Sequence, residues 1–321
     1  KYRKKKLRHY FFYLGCAFGF GFFLFGNYWI TISLTHDDSF KSLIPIAFIL
    51  IPLFFSLFFG IAIFLVGPFA EKDISFILIF SLVFSMLEFL RGNLLTGFPW
   101  NLISYTWSWS IESIQILSII GAYAFSLISV TIFCTPFVLF QKKITKKNIF
   151  YLLIIILVFI FNYFFGFIKI NNNFNYDESI NVKIVSPNLS LKEYNEKDEI
   201  SHIERLIKIS APEKDKKTIF IWPEGIFYES YLQDINQYKK LFTENFSENH
   251  LVVLGINNFV VLSDTEDEKY FNSLVVLNHE LKILAKYNKI NLVPFGEFLP
   301  LQEILSKYGF KKITKGYNSF S

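Results

Sequence analysis

Cysteine is scarce and poorly placed for its usual tasks. The 321 residues hold Cys16 and Cys134, both inside apolar runs, and no thiol follows residue 134. Two cysteines in such settings read as buried thiols and build no disulfide framework. The histidines at 9, 36, 202, 250 and 279 are scattered, without the close spacing of metal ligands, so no zinc site is expected. Neither a Gly-x-Ser-x-Gly elbow nor a Gly-x-x-x-x-Gly-Lys-Ser/Thr loop occurs, which removes two common hydrolase and nucleotide signatures. The glycines at 15, 19, 21 and 26 share one apolar run and do not spell a dinucleotide fingerprint. No cofactor is implied.

Charge is thin in the first half and dense in the second. Residues 1–170 carry 14 Lys and Arg against 6 Asp and Glu, whereas residues 171–321 carry 18 against 21. The formal net charge of +5 therefore comes from basic residues flanking apolar segments. That is a membrane-topology pattern, not a nucleic-acid footprint. Aromatic residues make up 20% of the chain, 41 of them Phe.

Five apolar stretches reach the roughly 18–20 residues that a helix needs to cross a bilayer: 10–34, 43–66, 74–91, 112–140 and 149–168. The first is too long for a signal peptide and has no small-residue cleavage site. Its Gly15 and Gly19 lie one turn apart, either as a surface for close helix packing or as the glycine common in membrane helices. Residues 1–8 carry six Lys and Arg and 141–148 carry four, while the alternate loops 35–42 and 92–111 carry only Lys41. The positive-inside bias then places the N-terminus in the cytoplasm, and everything after residue 168 emerges outside.

Two features here exceed hydrophobic filler. Glu88 and Arg91 stand three residues apart on one helix face; they read as a mutual pair or as intramembrane functional groups. The uncharged outer loop from Gly97 to Trp109 is rich in Trp and Tyr. It reads as an interfacial aromatic belt or as a lipid path to a site above the membrane. In the second reading Trp100, Tyr105, Trp107 and Arg91 are the substrate-binding candidates.

A polar linker, 171–180, precedes the domain expected over 181–321. Strand-like runs at Val182–Val185, Thr218–Trp222 and Leu251–Ile256 alternate with helices expected near 196–210 and 231–246. A β-hairpin follows, Ser273–Leu277 and Leu281–Ala285 around Asn278-His279-Glu280. The βαβαβ order predicts an α/β domain behind a multi-pass helical region. Trp222-Pro223-Glu224 ends an apolar strand, where parallel sheets present their chemistry. Lys289 lies just past the hairpin, and Leu292-Val293-Pro294-Phe295-Gly296-Glu297 supplies a further carboxylate. Taken singly, Glu224 reads equally as a helix cap, and Lys289 as a surface lysine.

Together these motifs resemble the apolipoprotein N-acyltransferases, membrane-anchored members of the nitrilase (carbon–nitrogen hydrolase) superfamily. The resemblance rests on Phe18–Ile30, on Glu88–Trp100, on Trp222-Pro223-Glu224 and on Tyr287–Glu297. It implies an αββα nitrilase-like sandwich on the periplasmic side of a bacterial inner membrane. The implied activity transfers an acyl chain from a phospholipid of the phosphatidylethanolamine type to the α-amino group of diacylglyceryl-cysteine in an apolipoprotein. It also implies a Glu–Lys–Cys triad working through a thioester: Glu224 as general base, Lys289 as oxyanion stabiliser, Glu297 as supporting carboxylate. A monomer is expected.

The family's nucleophilic cysteine follows the Val-Pro-Phe-Gly-Glu loop, and Cys16 and Cys134, in apolar runs, do not replace it. The expectation is a sequence truncated at both ends, inactive alone and active when whole, although a split or decayed gene fits as well. Two other functions remain open at this level: a membrane-tethered nitrilase-type amidase, and a degenerate scaffold that binds lipoproteins without chemistry.

Overall fold

A computed structural model describes the chain apart from residues 1, 36–37, 68–73, 95–96, 141–143, 173–179, 190–192, 194–197, 262–267, 295, 300, 309–319 and 321. The chain divides into two units, Lys1–Phe174 and Asn175–Ser321.

The first unit is helical. Helices α1 (Tyr2–Asn27), α2 (Ile44–Val66), α3 (Ile74–Asn93), α4 (Leu117–Cys134) and α5 (Lys146–Asn171) form it, with 3-10 segments between them. Among the described residues five segments are long and apolar enough to cross a membrane: Leu7–Thr35, Phe40–Val66, Ile74–Asn93, Leu117–Phe140 and Lys146–Asn171. Each contains most of an expected span. The fourth starts later than expected because 111–116 is turn and α4 breaks at Gly121 (φ 75°). Helix α5 shows what this surface requires: Ile149, Leu153, Ile156, Leu157, Phe161 and Phe164 are all exposed. Such a row is costly in water and neutral in lipid.

Gly15 and Gly19 do pack a helix. A Cβ on Gly15 would lie 2.6 Å from the Phe59 carbonyl oxygen, and one on Gly19 2.8 Å from Phe59 Cβ. Only the absence of side chains lets α1 and α2 approach this closely. Phe23, Phe55, Phe59, Ala62, Phe84 and Val130 form one buried cluster of this unit, and Ile74, Ile77, Val138 and Tyr151 form another. Cys16 and Cys134 are half-buried, free thiols. Thr145 caps α5, its side chain accepting from the Asn148 amide; residues 141–143 of the expected basic loop lie outside the described residues.

Among its described residues the second unit is a six-stranded mixed sheet with helices on one side. Its elements are β1 (Asn181–Ile184), α6 (Glu199–Ser210), β2 (Thr218–Ile221), β3 (Phe227–Tyr231), α7 (Lys239–Asn245), β4 (His250–Val261), β5 (Glu268–Asn278), β6 (Ile283–Asn288) and α8 (Gln302–Leu305). Strands β1, β2 and β4 run parallel, β4, β5 and β6 antiparallel, and β3 pairs with β4. The expected hairpin is thus present as β5–β6. Strand β3 was not anticipated; it occupies the approach to the helix expected near 231–246, which is a 3-10 turn (Leu232–Tyr238) followed by α7.

Side chains alternate across a strand, so one residue parity builds the core. Phe220, Val252, Leu254, Ile256, Val275 and Leu277 face Ile203, Leu206, Ile207 and Phe242 of the helices. The other parity forms an apolar row in strict register, Ile184–Ile221–Val253–Val276–Ala285. This face stays open among the described residues: Ile184 is 81% exposed and Leu274 48%.

Candidate active site

The site is assembled on that open face. The pairing of β2 extends to Trp222, whose amide donates to the Val253 carbonyl at 2.9 Å. The buried Trp222 indole donates to Ser210 Oγ at 3.0 Å. Pro223 has no N–H and cannot extend the ladder. The chain therefore turns at Glu224-Gly225, with Gly225 at φ 82°, a conformation that side chains resist. Glu224 lies exposed over the strand. A Cβ on Gly255 of β4 would touch Glu224 Cα and Cγ at 3.4 Å, so the bare backbone there makes room for the carboxylate.

Asn272 of β5 meets Glu224. Its Nδ2 donates to Glu224 Oε1 at 2.5 Å and to Glu297 Oε1 at 2.8 Å. Ionised carboxylates only accept, so the two contacts fix which way the amide points. Lys289 follows the end of β6, and its backbone amide donates to the Asn272 carbonyl at 2.8 Å. Its ammonium donates to Glu297 Oε1 at 2.8 Å; the side chains of Lys289 and Glu297 are 35% and 12% exposed.

Glu297 is held by its own loop. Its amide donates to the Val293 carbonyl at 2.8 Å, and the Val293 amide donates to Glu297 Oε2 at 2.8 Å. Burial by itself would raise the Glu297 carboxyl. Donors from Lys289, Val293 and Asn272 outweigh that and hold it below the ordinary carboxylate range. The result is one connected cluster, Glu224–Asn272–Glu297–Lys289, and it brings together the three acid–base residues expected from sequence.

Asn272 escaped the sequence reading. The expected strand began one residue later, at Ser273. An amide in the middle of a strand is a signal in itself, because Asn is depleted there.

In the helical unit Glu88 and Arg91 are both buried, with Arg91 Nη2 4.0 Å from Glu88 Oε1. Arg91 Nη1 donates to the Phe98 and Trp100 carbonyls at 2.7 and 2.8 Å. Glu88 Oε1 accepts from the Ile103 amide at 3.0 Å. The guanidinium sits 5.0 Å from the Phe23 ring centroid. The pair thus ties down the segment that carries Trp100. Trp100 is exposed and meets Trp29 edge-on at 5.6 Å, and Tyr105 is exposed as well. Trp107 is buried, its Nε1 donating to Ser129 Oγ at 2.9 Å. Two of the four substrate-binding candidates therefore face outward and two are engaged inside the unit.

Apolar helices of membrane-crossing length, followed by an α/β unit with a lysine–carboxylate cluster, define the class as a multi-pass helical membrane protein with a mixed α/β domain. Residues 2–135 match the family model of the apolipoprotein N-acyltransferase N-terminal domain. The chain is 32% identical over 309 residues to apolipoprotein N-acyltransferase of Rickettsia prowazekii, covering 94% of this chain and 60% of that protein. To the Rhodopseudomonas palustris protein of the same name it is 28% identical over 318 residues, covering 95% and 59%. For the Rhizobium leguminosarum protein, also of that name, the identity is 26% over 319 residues, with 96% and 59% covered. The chain is thus similar to apolipoprotein N-acyltransferases along nearly its whole length, and it spans about 60% of the length of these curated proteins.

Proposed function

We propose that Glu224, Lys289 and Glu297 form the acid–base part of an apolipoprotein N-acyltransferase site in a nitrilase-like domain. The observation that carries this reading is the division of labour among them. Lys289 is paired with Glu297, whereas Glu224 touches a neutral amide and keeps an exposed side chain. A carboxylate that has no cation partner among the described residues is available as a base. An ammonium has three N–H donors, and the contact to Glu297 uses one.

The proposed reaction has two halves. Glu224 takes the proton of a cysteine thiol, and the thiolate attacks an ester carbonyl of the phospholipid. Lys289 faces the tetrahedral oxyanion, a contribution on the order of 10²–10³ in rate for a single donor. The ester C–O bond breaks, the leaving alkoxide takes the proton from Glu224, and a thioester remains. The α-amine of diacylglyceryl-cysteine then attacks the thioester. Glu224 takes the amine proton and passes it to the departing thiolate. No cysteine follows Cys134 in these residues, so the thiol is assigned to another stretch of polypeptide.

Lipid-borne substrates account for the helical unit. The six basic residues within 1–8 and Lys146 and Lys147 support a cytoplasmic assignment for those loops and a periplasmic one for the α/β unit, at a bacterial inner membrane. Trp100 and Tyr105, being exposed, are the proposed lipid contacts, with Arg91 and Trp107 supporting their segment.

The test is acyl-enzyme formation by the complete gene product in vesicles containing phosphatidylethanolamine with a tagged acyl chain. Glu224→Gln and Lys289→Ala should each abolish labelling. Labelling at the unaltered rate in either variant overturns the role given to that residue.

A further inference from the structure

We infer that Asn272 is the positioning residue of this site, holding base, supporting carboxylate and lysine in register through one side chain and one carbonyl. The inference rests on the reading of Glu224 as base and Lys289 as cation.

The side-chain amide spends both donors on charged acceptors, one on Glu224 and one on Glu297. Two carboxylates that share a site disfavour each other's ionised form. A neutral donor between them offsets that repulsion without neutralising either one. A lysine or arginine in its place would bind Glu224 as an ion pair and remove it as a base. The backbone of the same residue accepts from the Lys289 amide at 2.8 Å. On the opposite face of β5, buried Ser273 donates through Oγ to Asn288 Oδ1 at 2.8 Å. The pairing of β5 with β6 is thereby pinned at the residue before Lys289.

Asn272 also sits directly across from Asn257 of β4. Four segments of the unit, the β2 turn, β5, the end of β6 and the Glu297 loop, thus converge on this single side chain and its carbonyl. Its backbone lies within a long antiparallel ladder, so the amide approaches both carboxylates from a rigid element. A shift of about 1 Å in a reacting group costs on the order of 10² in rate.

The experiment compares Asn272→Asp, Asn272→Leu and Asn272→Gln with Glu224→Gln in the complete gene product, measuring acylation rate against pH. Asp keeps the shape, removes both donors and adds a charge; Leu keeps the volume and removes both donors. Both should acylate about 10²-fold more slowly. Their acid limb should move to higher pH, because a carboxylate that loses a donor is protonated more easily. Gln, which keeps the donors on a longer arm, should recover part of the rate. Asp and Leu variants with unaltered rate and acid limb, beside an inactive Glu224→Gln, overturn the positioning role and leave the base assignment standing. A Gln variant no faster than Leu also counts against it. Where Leu does not fold, the isosteric Asp variant decides. Unaltered acylation by Glu224→Gln refutes the base reading, and this inference falls with it.

Discussion

Lys289 Nζ and Glu297 Oε1 lie 2.8 Å apart, eight residues removed from each other along the chain. The loop between them folds so that Val293 donates its amide to the same carboxylate. Glu297 therefore faces a cation, a backbone donor and a side-chain amide at once. This relationship sorts the two glutamates: Glu297 meets the lysine, and Glu224 has no ion-pair partner among the described residues.

The Glu297 contacts set an acid limit on the stability of the α/β unit. Its carboxyl is held below the ordinary range, so its contribution is complete above about pH 4.3. It is lost as pH falls through the lower folded-state value. Glu297→Gln should cost about 1–3 kcal/mol at pH 7. The gap between variant and parent, followed by thermal unfolding from pH 7 to 3, should close toward the acid end. A constant gap would show that the charge of Glu297 contributes nothing.

Tyr238 sets an alkaline limit. Burial, then the bond to Glu199, push its phenol up to about 12. Glu199 also accepts from the Glu229 amide at 2.6 Å and from Ser230 Oγ at 2.5 Å, tying the start of α6 to β3. A raised phenol stabilises the fold fully below about pH 10 and loses that effect as pH rises through about 12. Tyr238→Phe should be less stable at neutral pH yet show a flatter decline between those values, measured by denaturant unfolding with tyrosinate absorbance as the second signal.

Arg91 should behave as a clamp. Arg91→Ala leaves the Phe98 and Trp100 carbonyls without their donor and Glu88 buried without its counter-charge. Removing one partner of a buried pair costs about 3–5 kcal/mol. Arg91→Lys should not restore the loss, because an ammonium does not reproduce the planar fork. Thermal unfolding in detergent and protease cleavage within 97–103 would both report it.

Gly255 separates packing from chemistry. A Cβ there makes ordinary contact with Glu224 at 3.4 Å, so Gly255→Ala should keep most activity and stability. Gly255→Leu has no such room and should displace Glu224, lowering acylation at a stability cost of about 1–3 kcal/mol. Equal acylation by Ala and Leu variants would dismiss the close approach as irrelevant.

Gly225→Ala tests the turn beside Glu224. With φ at 82°, any Cβ adds strain of about 1–2 kcal/mol, read as a lowered denaturant midpoint.

Much of this was legible in the sequence for simple reasons. Membrane-length apolar runs and the run Thr218–Ile221 announce themselves by composition alone. Glu224, Lys289 and Glu297 follow from motif resemblance and strand ends. What stayed hidden depends on contacts between distant segments. The i,i+3 spacing of Glu88 and Arg91 says nothing of the carbonyls of Phe98 and Trp100. Trp107 looks like a surface aromatic until Ser129, 22 residues away, is found as its acceptor. Strand β3 (Phe-Tyr-Glu-Ser-Tyr) is short, with charge and hydroxyls outweighing its alternation. Asn272 has no motif at all; its role exists only once β5 lies beside the Glu224 turn.

The greasy row Ile184–Ile221–Val253–Val276–Ala285 shares its side of the sheet with Gly255 and the glutamate above it. An exposed apolar patch of that breadth marks an interaction surface or an aggregation liability. Whatever roofs it must also come down beside the carboxylates and strip water from them. Charge interactions strengthen as solvent leaves. Shelter for the hydrocarbon and sharpening of the acid–base chemistry would then be one and the same event.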